Sequence, residues 1–191
     1  MQANRNRLFA NGDWLLAHTN ELEPRLDLAW APVLRLWEDV ANPFGEIRTT
    51  DWTIFRFTWP DEEVQPWLRE VVWDRSSDLG RLINPGTETE FDDTPSLNLR
   101  DCLLTRSSVA AIQEWAAQLA IPVGCRCDGA SSHATRYGIE IRFFSGSTRL
   151  EWTDDVPLEW DDIVHKAQQL RNYFRKSLDY CNPDMARVVQ M

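Results

Sequence analysis

Residues 137–174 constrain the fold more tightly than any other stretch. They read YGIEIRFFSGSTRLEWTDDVPLEWDDIVHKAQQLRNYF. Tyr137, Ile139, Ile141 and Phe143 alternate with Arg136, Glu140 and Arg142, the period-two pattern of a half-buried antiparallel strand. The next segment turns Leu150 and Trp152 inward and Arg149 and Glu151 outward. Charge chooses between two registers. A two-residue turn at Ser145-Gly146 opposes Arg142 to Arg149 and Glu140 to Glu151. A four-residue loop from Ser145 to Thr148 sets Arg142 against Glu151 and Phe143 against Leu150. Opposed like charges destabilise a strand pair, so the longer loop is expected. A helix follows, with Pro157 at its first position and Glu159, Asp161 and Asp162 in the early turns. Arg171, Arg175 and Lys176 come later, the order that complements the helix dipole. Trp160, Ile163, Val164, Ala167, Leu170 and Phe174 form its inward stripe.

The chain upstream reads as further layers on this unit. Leu26, Trp30, Val33, Leu34 and Trp37 recur at helical spacing and predict a helix over 24–40, kinked or restarted at Pro32. Asn42-Pro43-Phe44-Gly45 is a turn signal. Residues 52–59 (WTIFRFTW) predict a strand. Phe55, Phe57 and Trp59 lie on one of its faces and Trp52 and Ile54 on the other, so both faces should be covered. Residues 66–73 (PWLREVVW) predict a short helix with Trp67, Val71 and Trp73 inward. Residues 76–96 lack regular patterning and carry an acidic strip of Glu88, Glu90, Asp92 and Asp93. A strand over 97–104 follows. Ser107 then caps a helix through Leu119 with the stripe Val109, Ile112, Trp115, Ala116 and Leu119, and Pro122 stops it.

This order predicts an α+β fold: a mainly antiparallel sheet of four or five strands, helices packed against it, ending in a ββα unit. A chain of 191 residues is expected to be one domain, with a subdivision at 1–75 and 97–191 as the alternative.

Composition narrows the partners. With 30 acidic against 20 basic residues the net charge is −10, which disfavours nucleic-acid phosphates and anionic membranes and steers toward a basic protein. No apolar run approaches the roughly 20 residues that span a bilayer. The N-terminal residues lack a continuous apolar core, so no signal peptide is expected. Four cysteines are too few for a disulfide scaffold and predict reduced thiols in the cytoplasm. Ten tryptophans are the oddity. Most should be core, and any exposed ones would be interface anchors.

Signs of chemistry are sparse. There are three histidines, 8 glycines, and no nucleophile elbow, phosphate loop or zinc-protease motif. Cys125, Cys127 and His133 are the nearest approach to a metal-ligand set. Their spacing matches no common zinc pattern and supplies no fourth ligand, so small buried thiols are the reading preferred. Asp161 and His165, one helical turn apart beside Asp154 and Asp155, could share a metal or a proton. First-turn acids are also ordinary dipole partners. No cofactor and no metal are expected.

The residues Asp128-Gly129, Tyr137, Ile139, Arg149, Trp152, Pro157 and Trp160 fit a pattern "DG … Y-x-(I/L) … R-x-x-W … P-x-x-W" with a closing helix. In this the second half of the chain resembles a diffuse group of uncharacterised bacterial proteins. The spacing between Gly129 and Tyr137 is longer than is usual in the group. The resemblance implies an immunity-like or accessory protein and carries over no catalytic residue.

The expectation is therefore a non-enzymatic, toxin-neutralising or accessory protein. It would engage a basic partner through Glu88, Glu90, Asp92, Asp93 and Trp73. Two alternatives belong to other classes: a metal-dependent hydrolase or nuclease using the carboxylates at 61–63, 88–93 and 154–162, and a structural subunit of a larger assembly.

Overall fold

The computed structural model describes residues 30–41, 46–57, 65–83, 95–119, 135–143, 146–154, 156, 158–181 and 187–190. Among them the strands are β1 (Trp30–Ala41), β2 (Ile47–Phe57), β3 (Trp67–Asp74), β4 (Ser96–Leu103), β5 (Arg136–Phe143), β6 (Gly146–Thr153) and β7 (Arg187–Gln190). The helices are α1 (Arg75–Ile83), α2 (Arg106–Ala117) and α3 (Asp161–Tyr180), the last preceded by a 3₁₀ turn at Leu158–Trp160. The strands form one antiparallel sheet in the order β6-β5-β1-β2-β3-β4-β7. The α+β class holds. The sheet has seven strands instead of four or five, and the expected ββα unit is there as β5, β6 and α3, with the short β7 following it.

Two segments expected to be helical are central strands. In β1, Leu34 and Leu36 face the helices and Val33, at the register shift, joins the same core cluster, while Arg35 and Trp37 face the other way; all five are buried. A strand covered on both faces reads as a nearly continuous apolar run, which mimics helical spacing. Pro32 sits at a register shift in the β1–β2 pair and precedes the first residue paired to β5, Leu34. Its missing N–H therefore costs no ladder bond to β5. β3 is likewise buried along most of its length. The segment read as irregular from 76 begins inside α1, which Asp74 caps by accepting from the Ser77 N–H at 3.1 Å. In α2 the cap is Thr105, not Ser107, with Oγ1 accepting from the Ser108 N–H at 3.2 Å.

The strand over 97–104 and the stripes of α2 and α3 are as expected, the α3 stripe running on to Leu178. The β5–β6 register is not. The sheet pairs Phe143 with Gly146, Glu140 with Arg149, Ile139 with Leu150 and Tyr137 with Trp152. Opposite charges do face each other, in a register four residues from the expected one: Arg142 meets Ser147 instead of Glu151. Such a shift keeps every side chain on its face, so the burial pattern cannot detect it.

The two faces differ sharply. One carries Leu34, Leu36, Trp52, Ile54, Leu68, Ile139 and Trp152, packed by Val109, Ile112 and Ala116 of α2 and Ile163, Ala167, Leu170 and Phe174 of α3. Across the other runs a cross-strand row, Arg149, Glu140, Arg35, Thr53, Arg69 and Asp101. Arg69 is fully buried and grips Asp101 with two bonds, Nε to Oδ1 at 3.0 Å and Nη2 to Oδ2 at 3.2 Å. Arg35 pairs with the buried Asp51 at 3.2 Å, and Arg75 pairs with Asp39. Burial raises the Asp51 carboxyl above its ordinary range, outweighing the pull of Arg35 and the Thr53 hydroxyl. Among the described residues no helix is long and apolar enough to cross a membrane.

Candidate ligand cleft

Where the ends of β1, β5 and β6 meet the first half of α3, the sheet and helix part around an open cleft of ≈ 500 Å³, solvent mouth included. Its wall is the cross-strand pair Tyr137 and Trp152, stacked with ring centroids 6.1 Å apart and planes 19° from parallel. Trp52, Val156, Val164 and Ala167 add apolar surface.

The polar groups are arranged by the same register. Glu38 stands opposite Tyr137 on β1, turned toward α3. Its Oε1 accepts from Arg171 Nη1 at 3.2 Å and its Oε2 from Arg175 Nη2 at 3.3 Å. The Arg171 guanidinium lies 5.9 Å from the Tyr137 ring centroid, and that of Arg175 lies 5.3 Å from the Trp52 ring. Glu38 is thus neutralised twice over. Asp154 is different: it is exposed at the mouth and accepts a 3.1 Å bond from the Tyr137 hydroxyl, a neutral donor. Burial, and then the nearby Asp154 carboxylate, raise the Tyr137 phenol above its ordinary value, which keeps it a proton donor. Glu159 in the 3₁₀ turn and Asp161 and Asp162 at the start of α3 are exposed as well, with Lys166 bonding Asp162 at 2.9 Å.

A stacked aromatic wall beside a carboxylate that has no cationic partner among the described residues suits a cationic side chain. The alkyl stem packs on the rings and the charge meets Asp154.

The sequence placed its site elsewhere. Glu88, Glu90, Asp92 and Asp93 lie outside the described residues, as do Cys125, Cys127 and His133. Trp73 is corrected: it is 1% exposed, its indole N–H donates to Asp78 Oδ2 at 2.7 Å, and Arg75 lies over its ring. A ring so enclosed packs the sheet and offers no anchor to a partner. Trp37, Trp52, Trp152 and Trp160 are buried too, and Trp67 and Trp115 half-buried. His165 meets Gln169 at 2.9 Å. Among the described residues no three His, Cys, Asp or Glu side chains converge so as to hold a metal ion. Of the cleft's residues, Tyr137 and Trp152 were legible as inward-facing. Glu38 and Arg171 were not, although Arg171 and Arg175 at i, i+4 beside the apolar stripe were a signal that one carboxylate stood between them.

Compared with protein-family models, curated proteins and solved structures, the chain matches none.

Proposed function

We propose that the protein is a non-enzymatic binding protein, of the toxin-neutralising or accessory kind, that takes a cationic side chain of a basic partner into this cleft. The observation that supports the reading is Asp154. It is an exposed carboxylate at an aromatic-walled cleft whose other inner carboxylate, Glu38, is already held by two arginines. The net charge of −10 adds long-range attraction for such a partner.

Calorimetric titration with a short arginine-rich peptide and with its glutamate counterpart tests it. The arginine peptide should bind, more weakly as salt rises. Asp154→Asn should weaken it at least about tenfold, the worth of one charge-assisted bond. Equal heats from both peptides, or binding that ignores both salt and Asp154, would reject the reading. Strong binding of magnesium, manganese or zinc in place of the peptide would favour a metal-dependent hydrolase instead.

A further inference from the structure

The sheet ends differently at its two edges. β7 is a four-residue strand, a length that limits pairing with another chain. β6 is an eight-residue terminal strand, GSTRLEWT, with no proline and no lysine, in unbroken register with β5 from Arg136↔Thr153 to Phe143↔Gly146. Among the described residues no proline, lysine or bulge blunts this edge, and its two charged residues, Arg149 and Glu151, are of opposite sign.

Its sequence is complementary to itself. Consider a second copy of β6 laid antiparallel along the first. Registers that oppose odd to even positions set inward residues such as Leu150 against residues of the other face, and are excluded. Centring the two-fold on Arg149 opposes arginine to arginine, and centring it on Glu151 opposes glutamate to glutamate. Centring it on Leu150 sets Arg149 of each copy against Glu151 of the other, Leu150 against Leu150, and Thr148 against Trp152. Arg149 already lies over the Trp37 ring and bonds Glu151 within its own strand. Pairing therefore only extends a charge cluster that the fold has already ordered.

We infer that the protein forms a two-fold dimer through β6, the two sheets joining edge to edge about Leu150. The two-fold lies normal to the sheet, so α3 of each copy stays on the same face. Gly146 to Thr148 of the second copy then run beside Trp152 to Asp154 of the first, forming an outer wall for its cleft. The inference does not depend on what the cleft binds.

Sedimentation equilibrium of the full chain tests it, with two charge reversals. The wild type should dimerise at concentrations up to about 100 μM. Arg149→Glu and Glu151→Arg should each lose self-association at least about tenfold, because like charges now face across the two-fold. Mixed one to one, the two variants should associate with each other, since each position then meets its opposite. A wild type that stays monomeric, single reversals that leave the dimer intact, or folded variants that fail to pair on mixing would each overturn the proposal. Amide exchange of the wild type gives a readout that needs no variant. Protection of β6 should grow with protein concentration, and concentration-independent exchange there would contradict a β6 dimer.

Discussion

The indole of Trp37 occupies the space that any side chain at position 138 would need. The two residues are direct cross-strand partners, and a Cβ built on Gly138 would stand 1.8 Å from Trp37 Cζ2. The Arg149 guanidinium lies 4.7 Å from the centroid of the same ring. A glycine inside a central strand is ordinarily a weakness, but here it admits a ring between β1 and β6. Gly138→Ala should therefore destabilise by about 3 kcal/mol or more, since Trp37 is 2% exposed and has no room to move aside. Urea unfolding measures it, and a loss under about 1 kcal/mol would show that the ring can shift.

The buried charged row across the face opposite the helices predicts asymmetric losses. Removing Arg69 alone leaves Asp101 buried without its two-bonded partner, so Arg69→Met should cost about 3–5 kcal/mol. Adding Asp101→Leu to that variant should recover a measurable part, because an apolar pair leaves no uncompensated charge. Additive losses would mean that the pair is not the source.

Cys102 should behave as a slow thiol. Burial first, then a bond and charge interaction with Cys181, push it up from 9.0 to about 12. A thiol whose folded-state pKa is raised adds stability below its unfolded value, and that stability is lost as pH rises toward the folded value. Stability should therefore fall between about pH 9 and 12, and Cys102→Ala should flatten that alkaline limb. At pH 8 iodoacetamide should label the half-exposed Cys181 well before Cys102. Equal labelling rates would contradict the placement of the pair.

The Tyr137 phenol should ionise above its ordinary value of 10.0 in the folded protein. Asp154→Asn removes the nearer charge and should move the titration back toward 10.0 without abolishing the shift, because burial is the larger cause. Ultraviolet titration of phenolate absorbance reads both, and an unchanged midpoint in the variant would place Asp154 too far away to matter.

Much of this was legible in the chain, and each failure has a physical cause. Residues 137–174 gave the strand faces and the α3 stripe because one side of each element is mostly charged or polar, which prints a clean period. β1 and β3 have both sides covered, so Val33, Leu34, Leu36 and Trp37 formed a run whose period could not be read. The hairpin register escaped because a shift by an even number of residues, here four, preserves every face, and Glu140 finds Arg149 only once the strands are paired. Of the cleft, the aromatic wall followed from alternation. Glu38 could not be foreseen, since its role depends on β1 lying beside β5 under arginines 133 and 137 positions away.

The central claim is that Asp154 and the Tyr137–Trp152 wall receive a basic side chain. Two-dimensional amide and indole spectra recorded during titration with an arginine-rich peptide test it most directly. The account predicts shifts concentrated at Tyr137, Trp152, Asp154 and Gln168, and their disappearance in Asp154→Asn. Shifts confined to residues away from the cleft, or identical in that variant, would contradict it.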